Sequence, residues 1–126
     1  MKILIVTGSR ADYGLLEWPI RTLEADPFFL GEVMKIWGFS FQDAFSAAWE
    51  KLKAERPDVM LVLGDRFEIL AVTIAAHLQR VPVAHIGGGD ITEGSYDDAM
   101  RDCISRMASI HFATSEEAAA RLRGRG

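Results

Sequence analysis

Residues that could transfer protons are concentrated between residues 65 and 98 of this 126-residue chain. Clustered carboxylates in a cleft can serve as general acid and base, because like charge and burial push their pKa values apart. A histidine in the same stretch, His85, is a second type of proton-transfer group. The candidate carboxylates are Asp65, Asp90, Glu93, Asp97 and Asp98.

Each candidate also has a purely structural interpretation. Asp65 could cap a helix at Arg66–Gln79, Asp97 could cap the helix that follows it, and His85 could be a hydrogen-bonded histidine at a strand end. Carboxylates with a histidine could also bind a divalent metal, but no H-x-x-x-H or paired-cysteine spacing supports that. We therefore expect neither a metal nor a cofactor.

Two apolar runs with a helical segment between them would bring these residues to one edge of a sheet. Val59–Leu63 and Val81–Ile86 are typical of buried strands, and Phe67–Leu78 carries apolar residues at helical spacing. Strand, helix and strand form a βαβ unit, and such units bind ligands at the carboxyl ends of their strands. The candidate residues lie at or just beyond those ends.

An earlier strand precedes a second candidate site. Lys2–Thr7 is a continuous apolar run, as in a strand buried on both faces of a parallel sheet, and a helix is predicted at Leu15–Glu24. Gly8, Ser9 and Arg10 lie between them, where helix amides could cradle a phosphate. The loop has no G-x-G-x-x-G and no Walker lysine, so the pattern alone favours a plain strand-to-helix turn.

The stretch from Leu30 to Ala54 allows two interpretations. Its apolar and aromatic residues recur at steps of three and four, which favours one long amphipathic helix with Gly38 as a weak point. The alternative is a short strand at Leu30–Lys35 followed by a helix from Ser40. We prefer the long helix, and we expect its aromatic stripe to be core, because no basic residues are interleaved with it.

The remaining elements complete an α/β pattern. A helix is predicted at Asp97–Met107, a strand at Ile110–Ala113, and a last helix opened by Thr114–Glu117, before a tail that should fray. The expected fold is a three-layer α/β/α Rossmann-like domain with a parallel sheet of about four strands. The length fits a single domain over residues 1–126.

Composition excludes several classes of function. The net charge is −4 and nothing resembles a basic face, which argues against a nucleic-acid partner. No apolar run approaches the roughly 20 residues of a membrane span, and the N-terminal run is too short for a signal peptide. The single cysteine, Cys103, is compatible with a reducing compartment, so the cytoplasm is the expected location.

The chain resembles the hydrolysing UDP-N-acetylglucosamine 2-epimerases in three motifs that occur in the same order. These are V-T-G-S-R-A-D-Y-G, L-V-L-G-D-R-F-E and H-I-x-G-G-[D/E]-x-T-E-G-x-x-D-D-A-x-R. The resemblance implies elimination of UDP to give a 2-acetamidoglucal, followed by hydration to N-acetylmannosamine. It also implies two Rossmann-like domains facing each other, as in GT-B glycosyltransferases, of which this chain would be most of the first.

Residue roles follow from the same resemblance. Arg10 matches an arginine near the UDP moiety, and Asp65 matches an aspartate implicated in proton transfer. The implied catalytic residues are Asp65, His85, Asp90, Asp97 and Asp98. The implied substrate-binding residues are Gly8, Ser9, Arg10, Arg66 and Arg101.

The chain departs from the family pattern in several ways. Gly87 stands where members commonly have Glu or His, and Asp90 stands where they have Glu. The segment between the first helix and the helix before L-G-D-R is shortened, and we expect this chain to lack the family's C-terminal domain. We therefore expect weak binding of UDP-N-acetylglucosamine or UDP and no catalysis by this chain alone. The alternative is a non-catalytic nucleotide-sugar-binding or assembly module.

The shortened segment also predicts self-association. In the family, strands of that segment pair beside the strand at Lys2–Thr7, so its loss would leave this strand at the edge of the sheet. Long apolar edges invite pairing with another chain. The lost structure would also uncover apolar surface of the long helix, and large apolar patches rarely stay exposed in a monomer. The sequence therefore predicts a homodimer or higher oligomer that buries the first strand's edge, the long helix, or both.

Overall fold

The computed structural model describes residues 1–64, 66–87, 97–112 and 115–124, except for the side chains of Asp12, Asp97 and Asp98. Within these ranges five strands alternate with five helices. In chain order the elements are β1 (Lys2–Thr7), α1 (Arg10–Ala25), β2 (Leu30–Lys35), α2 (Phe41–Glu55), β3 (Val59–Leu63), α3 (Phe67–Leu78), β4 (Val83–Ile86), α4 (Asp97–Met107), β5 (Ile110–Phe112) and α5 (Glu116–Gly124).

The five strands form one parallel sheet in the order β2-β1-β3-β4-β5. The predicted fold class is confirmed, with five strands instead of about four. The additional strand is β2, and it pairs along the whole length of β1. The prediction that Lys2–Thr7 forms a sheet edge was therefore wrong, because β1 lies between β2 and β3.

The prediction of one long helix over Leu30–Ala54 was also wrong, and the alternative of a strand followed by a helix is confirmed. Gly38 has a φ of 77°, a left-handed conformation that interrupts any helix there. Ser40 then caps α2, since its hydroxyl accepts a hydrogen bond from the Asp43 N–H at 3.1 Å. Because β2 is an edge strand, mostly exposed, its residues do not show the apolar run of a buried strand.

Helices cover both faces of the sheet, which gives the three layers. On one face α2, α3 and Ile104 of α4 pack against alternate strand residues such as Leu4 and Val62. On the other face Leu16 and Ile20 of α1 pack against the intervening residues, such as Ile5. Burial on both faces explains why β1 is a continuous apolar run.

The described residues cover the face that carries α1 incompletely. A groove of about 570 Å³ opens beside α1, and its walls are almost entirely apolar. We call this surface the open apolar face, defined by the lining residues Trp18, Pro19, Thr22, Leu23, Leu61, Ile86 and Phe112. Trp18 is 77% exposed on it. No helix in the described part of the chain is both long and apolar enough to cross a membrane.

Candidate functional site

The carboxyl edge of the sheet contains a topological switch point between β1 and β3. These strands are neighbours, but the helix after β1 packs on one face and the helix after β3 packs on the other. The two following loops diverge there and leave a crevice, which is the usual ligand position in open α/β sheets. Gly8, Ser9 and Arg10 leave β1 at this point, and Gly64 leaves β3.

Two glycines fix the chain where it leaves β3 and β4. Gly64 has a φ of 88° and Gly87 a φ of 89°, in the left-handed region that favours glycine. The Gly64 N–H donates to the Ile86 carbonyl at 3.1 Å, and the Gly87 N–H donates to the Phe112 carbonyl at 3.0 Å. Both turns are therefore held by the neighbouring strand, directly before the loops that carry Asp65 and Asp90.

His85 is fully buried on β4, and both of its ring nitrogens have partners. Nε2 lies 2.8 Å from the Gly64 carbonyl oxygen, and Nδ1 lies 3.0 Å from the Ser105 hydroxyl of α4. A carbonyl only accepts, so Nε2 carries the proton and Nδ1 accepts from Ser105. These bonds support the interpretation of a hydrogen-bonded strand-end histidine. Proton transfer by His85 stays a prediction.

Ser105 was not identified from the sequence. The only signal was a polar residue beside Ile104 on the apolar side of the predicted helix. It lies one turn after Arg101, which is also buried, so α4 directs two polar side chains into the interior. The chain Ser105–His85–Gly64 thus connects α4, β4 and the turn that leads into Asp65.

Arg66 and Glu68 form an ion pair at the start of α3. Arg66 is the N-cap residue, and its Nε donates to Oε1 of Glu68. The Arg66 side chain is 51% exposed, whereas that of Glu68 is 2% exposed. Within the described part of the chain, Oε2 of Glu68 is buried without a hydrogen-bond partner. Glu68 was also missed from the sequence, although it ends the motif L-G-D-R-F-E.

Arg10 is the first residue of α1 and is exposed. The Ser9 carbonyl accepts the Tyr13 N–H at 3.1 Å, which begins the helix immediately after the loop. Amides of a helix N-terminus favour an anion, and an arginine at the same place adds a full charge. The structure thus brings Gly8, Ser9 and Arg10 to the switch point, as the phosphate interpretation requires.

The predicted acidic residues are only partly placed. Asp97 and Asp98 open α4, but their side chains lie outside the described part of the structure, as do Asp65, Asp90 and Glu93 entirely. Among the residues that are described, no three His, Cys, Asp or Glu side chains could hold a metal ion together. The expectation of no metal therefore stays a prediction.

Together these features define a Rossmann-like α/β protein with a candidate anion-binding crevice at its switch point. The sequence model of the family described as UDP-N-acetylglucosamine 2-epimerase matches residues 2–126. The chain therefore belongs to the UDP-N-acetylglucosamine 2-epimerase family.

Individual relatives agree with this assignment. The GDP/UDP-N,N'-diacetylbacillosamine 2-epimerase (hydrolyzing) of Campylobacter jejuni is 44% identical over 73 residues, which cover 58% of this chain and 18% of the relative. The polysialic acid biosynthesis protein P7 of Escherichia coli is 31% identical over 160 residues, covering 92% of this chain and 39% of the relative. The chain thus spans less than half the length of these relatives. The 160 aligned positions exceed the 126 residues of the chain, so the relative carries internal residues that this chain lacks.

Solved structures show the same fold. UDP-GlcNAc 2-epimerase from Neisseria meningitidis, bound to UDP-GlcNAc, superposes with a TM-score of 0.92 over 99% of this chain and 43% of that one. The identity is 23%, so this likeness concerns the fold alone. The enzyme from Methanocaldococcus jannaschii, in complex with UDP-GlcNAc and UDP, gives 0.91 at 21% identity, over 100% of this chain and 44% of that one.

Proposed function

We propose that this chain forms one wall of the nucleotide-sugar cleft of a hydrolysing 2-epimerase. The observation that carries the proposal is the family match over residues 2–126, combined with the position of two family motifs at the switch point. The relatives are named for UDP-N-acetylglucosamine and for diacetylbacillosamine nucleotides. These substrates share a nucleoside diphosphate and a 2-acetamido group, and we propose that class of substrate.

In the proposed reaction, different loops of the carboxyl edge supply the proton-transfer groups. A base removes the proton at C2 of the sugar while the C1–O bond to UDP breaks, which gives the 2-acetamidoglucal; water then adds at C1, and a proton returns to C2. Asp65 is the proposed proton-transfer group, with Asp90, Asp97 and Asp98 around the sugar. The tether from His85 to the Gly64 carbonyl supports Asp65, because it fixes the preceding peptide.

Positively charged side chains form the phosphate-binding side of the proposed site. Arg10 offers a charge-assisted hydrogen bond to the diphosphate, and we propose that Arg66 and Arg101 complete the set. The ion pair with Glu68 orients Arg66, because it holds the Nε edge of the guanidinium. Gly8 has no side chain, so the substrate can approach the backbone closely there, and we propose that Ser9 lines the same loop.

The chain by itself is proposed to bind substrate weakly and not to turn it over. A single wall buries only part of a ligand, and closure of a second domain is needed to exclude water and complete the proton-transfer set. The rest of the cleft would come from a C-terminal domain like that of the longer relatives. The proposed compartment is the cytoplasm, since Cys103 requires no oxidising environment.

Titration followed by NMR tests the proposal. UDP and UDP-N-acetylglucosamine should bind with a Kd of about 1 mM or weaker, and the shifted amides should include Gly8–Tyr13 and Gly64–Arg66. Arg10→Gln should weaken this binding, whereas Arg106→Gln, an exposed arginine near the end of α4, should not. Shifts that avoid both loops would count against the site.

A second candidate function is assembly, and the open apolar face favours it. The edge of β1 no longer supports self-association, because β2 covers that edge. The open apolar face presents Trp18 and Phe112 to solvent, and extensive apolar patches seldom stay uncovered in a monomer. We therefore retain the proposal of a homodimer or higher oligomer, now through this face.

A further inference from the structure

A lysine rests on two aromatic rings beside the glycine loop of the site. Nζ of Lys35, the last residue of β2, lies 4.9 Å from the ring centroid of Tyr13 and 5.0 Å from that of Trp37. The two rings meet edge to face with their centroids 6.3 Å apart. The two distances from Nζ to the ring centroids are in the range of cation–π attraction, so the rings position the ammonium group.

The same rings are tied to the loop that begins the proposed phosphate site. The indole N–H of Trp37 donates to the hydroxyl of Thr7 at 3.0 Å, and Thr7 is the buried residue before Gly8. Tyr13 lies in the first turn of α1, and its N–H donates to the Ser9 carbonyl. The Trp37 ring is therefore bonded to the residue before Gly8, and the Tyr13 backbone is bonded to Ser9.

Lys35 differs from Lys2 and Lys51 in its electrostatic partners. Lys2 pairs with Glu55, and Lys51 pairs with Glu32 and Glu55. Among the side chains that the structure describes, Lys35 has no carboxylate within ion-pair distance, and it is exposed. The two rings are uncharged, so they do not neutralise the positive charge of Lys35. The ammonium group also keeps N–H donors that can bind an anion.

We propose that Lys35, held on Tyr13 and Trp37, binds a phosphate group of the nucleotide beside Arg10. This inference rests on the proposed function, because it needs a nucleotide diphosphate at the switch point. The three sequence motifs do not include Lys35. A phosphate is favoured over an uncharged sugar group because Lys35, Arg10 and the amides that open α1 all attract negative charge.

Binding of UDP to the whole chain, measured by NMR titration, tests the proposal. Lys35→Gln removes the charge and should weaken binding about threefold to tenfold, as expected for one exposed charge-assisted contact. Lys35→Arg keeps the charge and should restore most of the affinity. Lys53→Gln, an exposed lysine in the last turn of α2, is the matched control and should bind like the wild type.

Two further probes separate this inference from the proposed function. Uridine lacks the diphosphate, so its affinity should be the same for the wild type and Lys35→Gln. If Arg10→Gln weakens UDP binding and Lys35→Gln does not, the inference is wrong while the proposed function stands. If UDP does not bind at all, the proposed function fails. The inference fails with it, because it needs a nucleotide diphosphate at the switch point.

Discussion

Ser105→Ala should destabilise the chain by removing one link between α4 and the turn before Asp65. The substitution deletes the hydroxyl that donates to Nδ1 of His85, which lies in a fully buried ring. A neutral imidazole carries a single proton. If that proton moved to Nδ1, Nε2 could no longer donate to the Gly64 carbonyl, so the hydrogen bond there would be lost instead. Loss of this buried hydrogen bond should cost about 1–3 kcal/mol.

Ser46→Ala is the matched control for this experiment. Ser46 is exposed in the middle of α2, so both substitutions replace a helical serine with alanine and share the same gain in helix propensity, about 0.5 kcal/mol. The difference between the two variants then isolates the hydrogen bond. Urea unfolding followed by circular dichroism should show Ser105→Ala about 1–3 kcal/mol less stable than Ser46→Ala, or roughly 4–12 °C lower in Tm.

NMR of the imidazole nitrogens gives an independent readout above about pH 7.5, where an ordinary histidine is neutral. The wild type should show the proton on Nε2 of His85. Two results would refute the reasoning: equal stability of the two alanine variants, or a proton on Nδ1 in the wild type.

The remaining predictions concern the core, pH, assembly and activity. Leu52→Ala, at a fully buried position of α2, should lose about 2–5 kcal/mol in urea unfolding, and a loss below about 1 kcal/mol would contradict the packing. A hydrogen bond and the charge of Lys2, with a smaller contribution from Lys51, hold the pKa of Glu55 below its ordinary value. Its pairing therefore stabilises the fold above the unfolded pKa and is lost as pH falls through the folded one. The stability difference between the wild type and Glu55→Gln should shrink from about pH 7 to about pH 3 in urea titrations. Light scattering at micromolar concentration should show particles of more than one chain that Trp18→Glu shifts towards monomer; a wild-type monomer of 14.0 kDa would exclude the assembly proposal. In a coupled assay the chain alone should release no UDP from UDP-N-acetylglucosamine, and turnover abolished by Asp65→Asn would show that one domain suffices.

The buried strands and their loops could be predicted from the sequence, because burial on both faces leaves continuous apolar runs such as Lys2–Thr7. The edge strand β2 could not, since Leu30–Lys35 is mostly exposed and its few apolar residues continue the helical spacing of α2. Gly38 and Ser40 were the residues that could have indicated the break between β2 and α2. A glycine followed two residues later by a capping serine favours a break before a helix over continuation through it.

The candidate site was predictable in position but not in its contacts. Strand ends determine where Gly8, Gly64 and Gly87 lie, because parallel strands finish at one edge of a sheet. One partner of His85 is Ser105, 20 residues away on a helix, and no local pattern connects them. Lys35 likewise meets Tyr13 only because β2 pairs with β1, which the preferred helix would have prevented.

The interior position of β1 also governs the order in which the chain can fold during synthesis. The Lys2 N–H bonds to the carboxylate of Asp58, 56 residues further along, and Ile3 pairs with Val59. At ribosomal rates those partners emerge roughly 3–12 s after the first strand. During that interval Ile3–Val6 has at most β2 beside it, so the nascent chain exposes an apolar strand edge that the finished sheet conceals. We expect a nascent chain whose Val59–Leu63 segment has not yet left the ribosome to recruit holdase chaperones, and one in which that segment has emerged to recruit fewer.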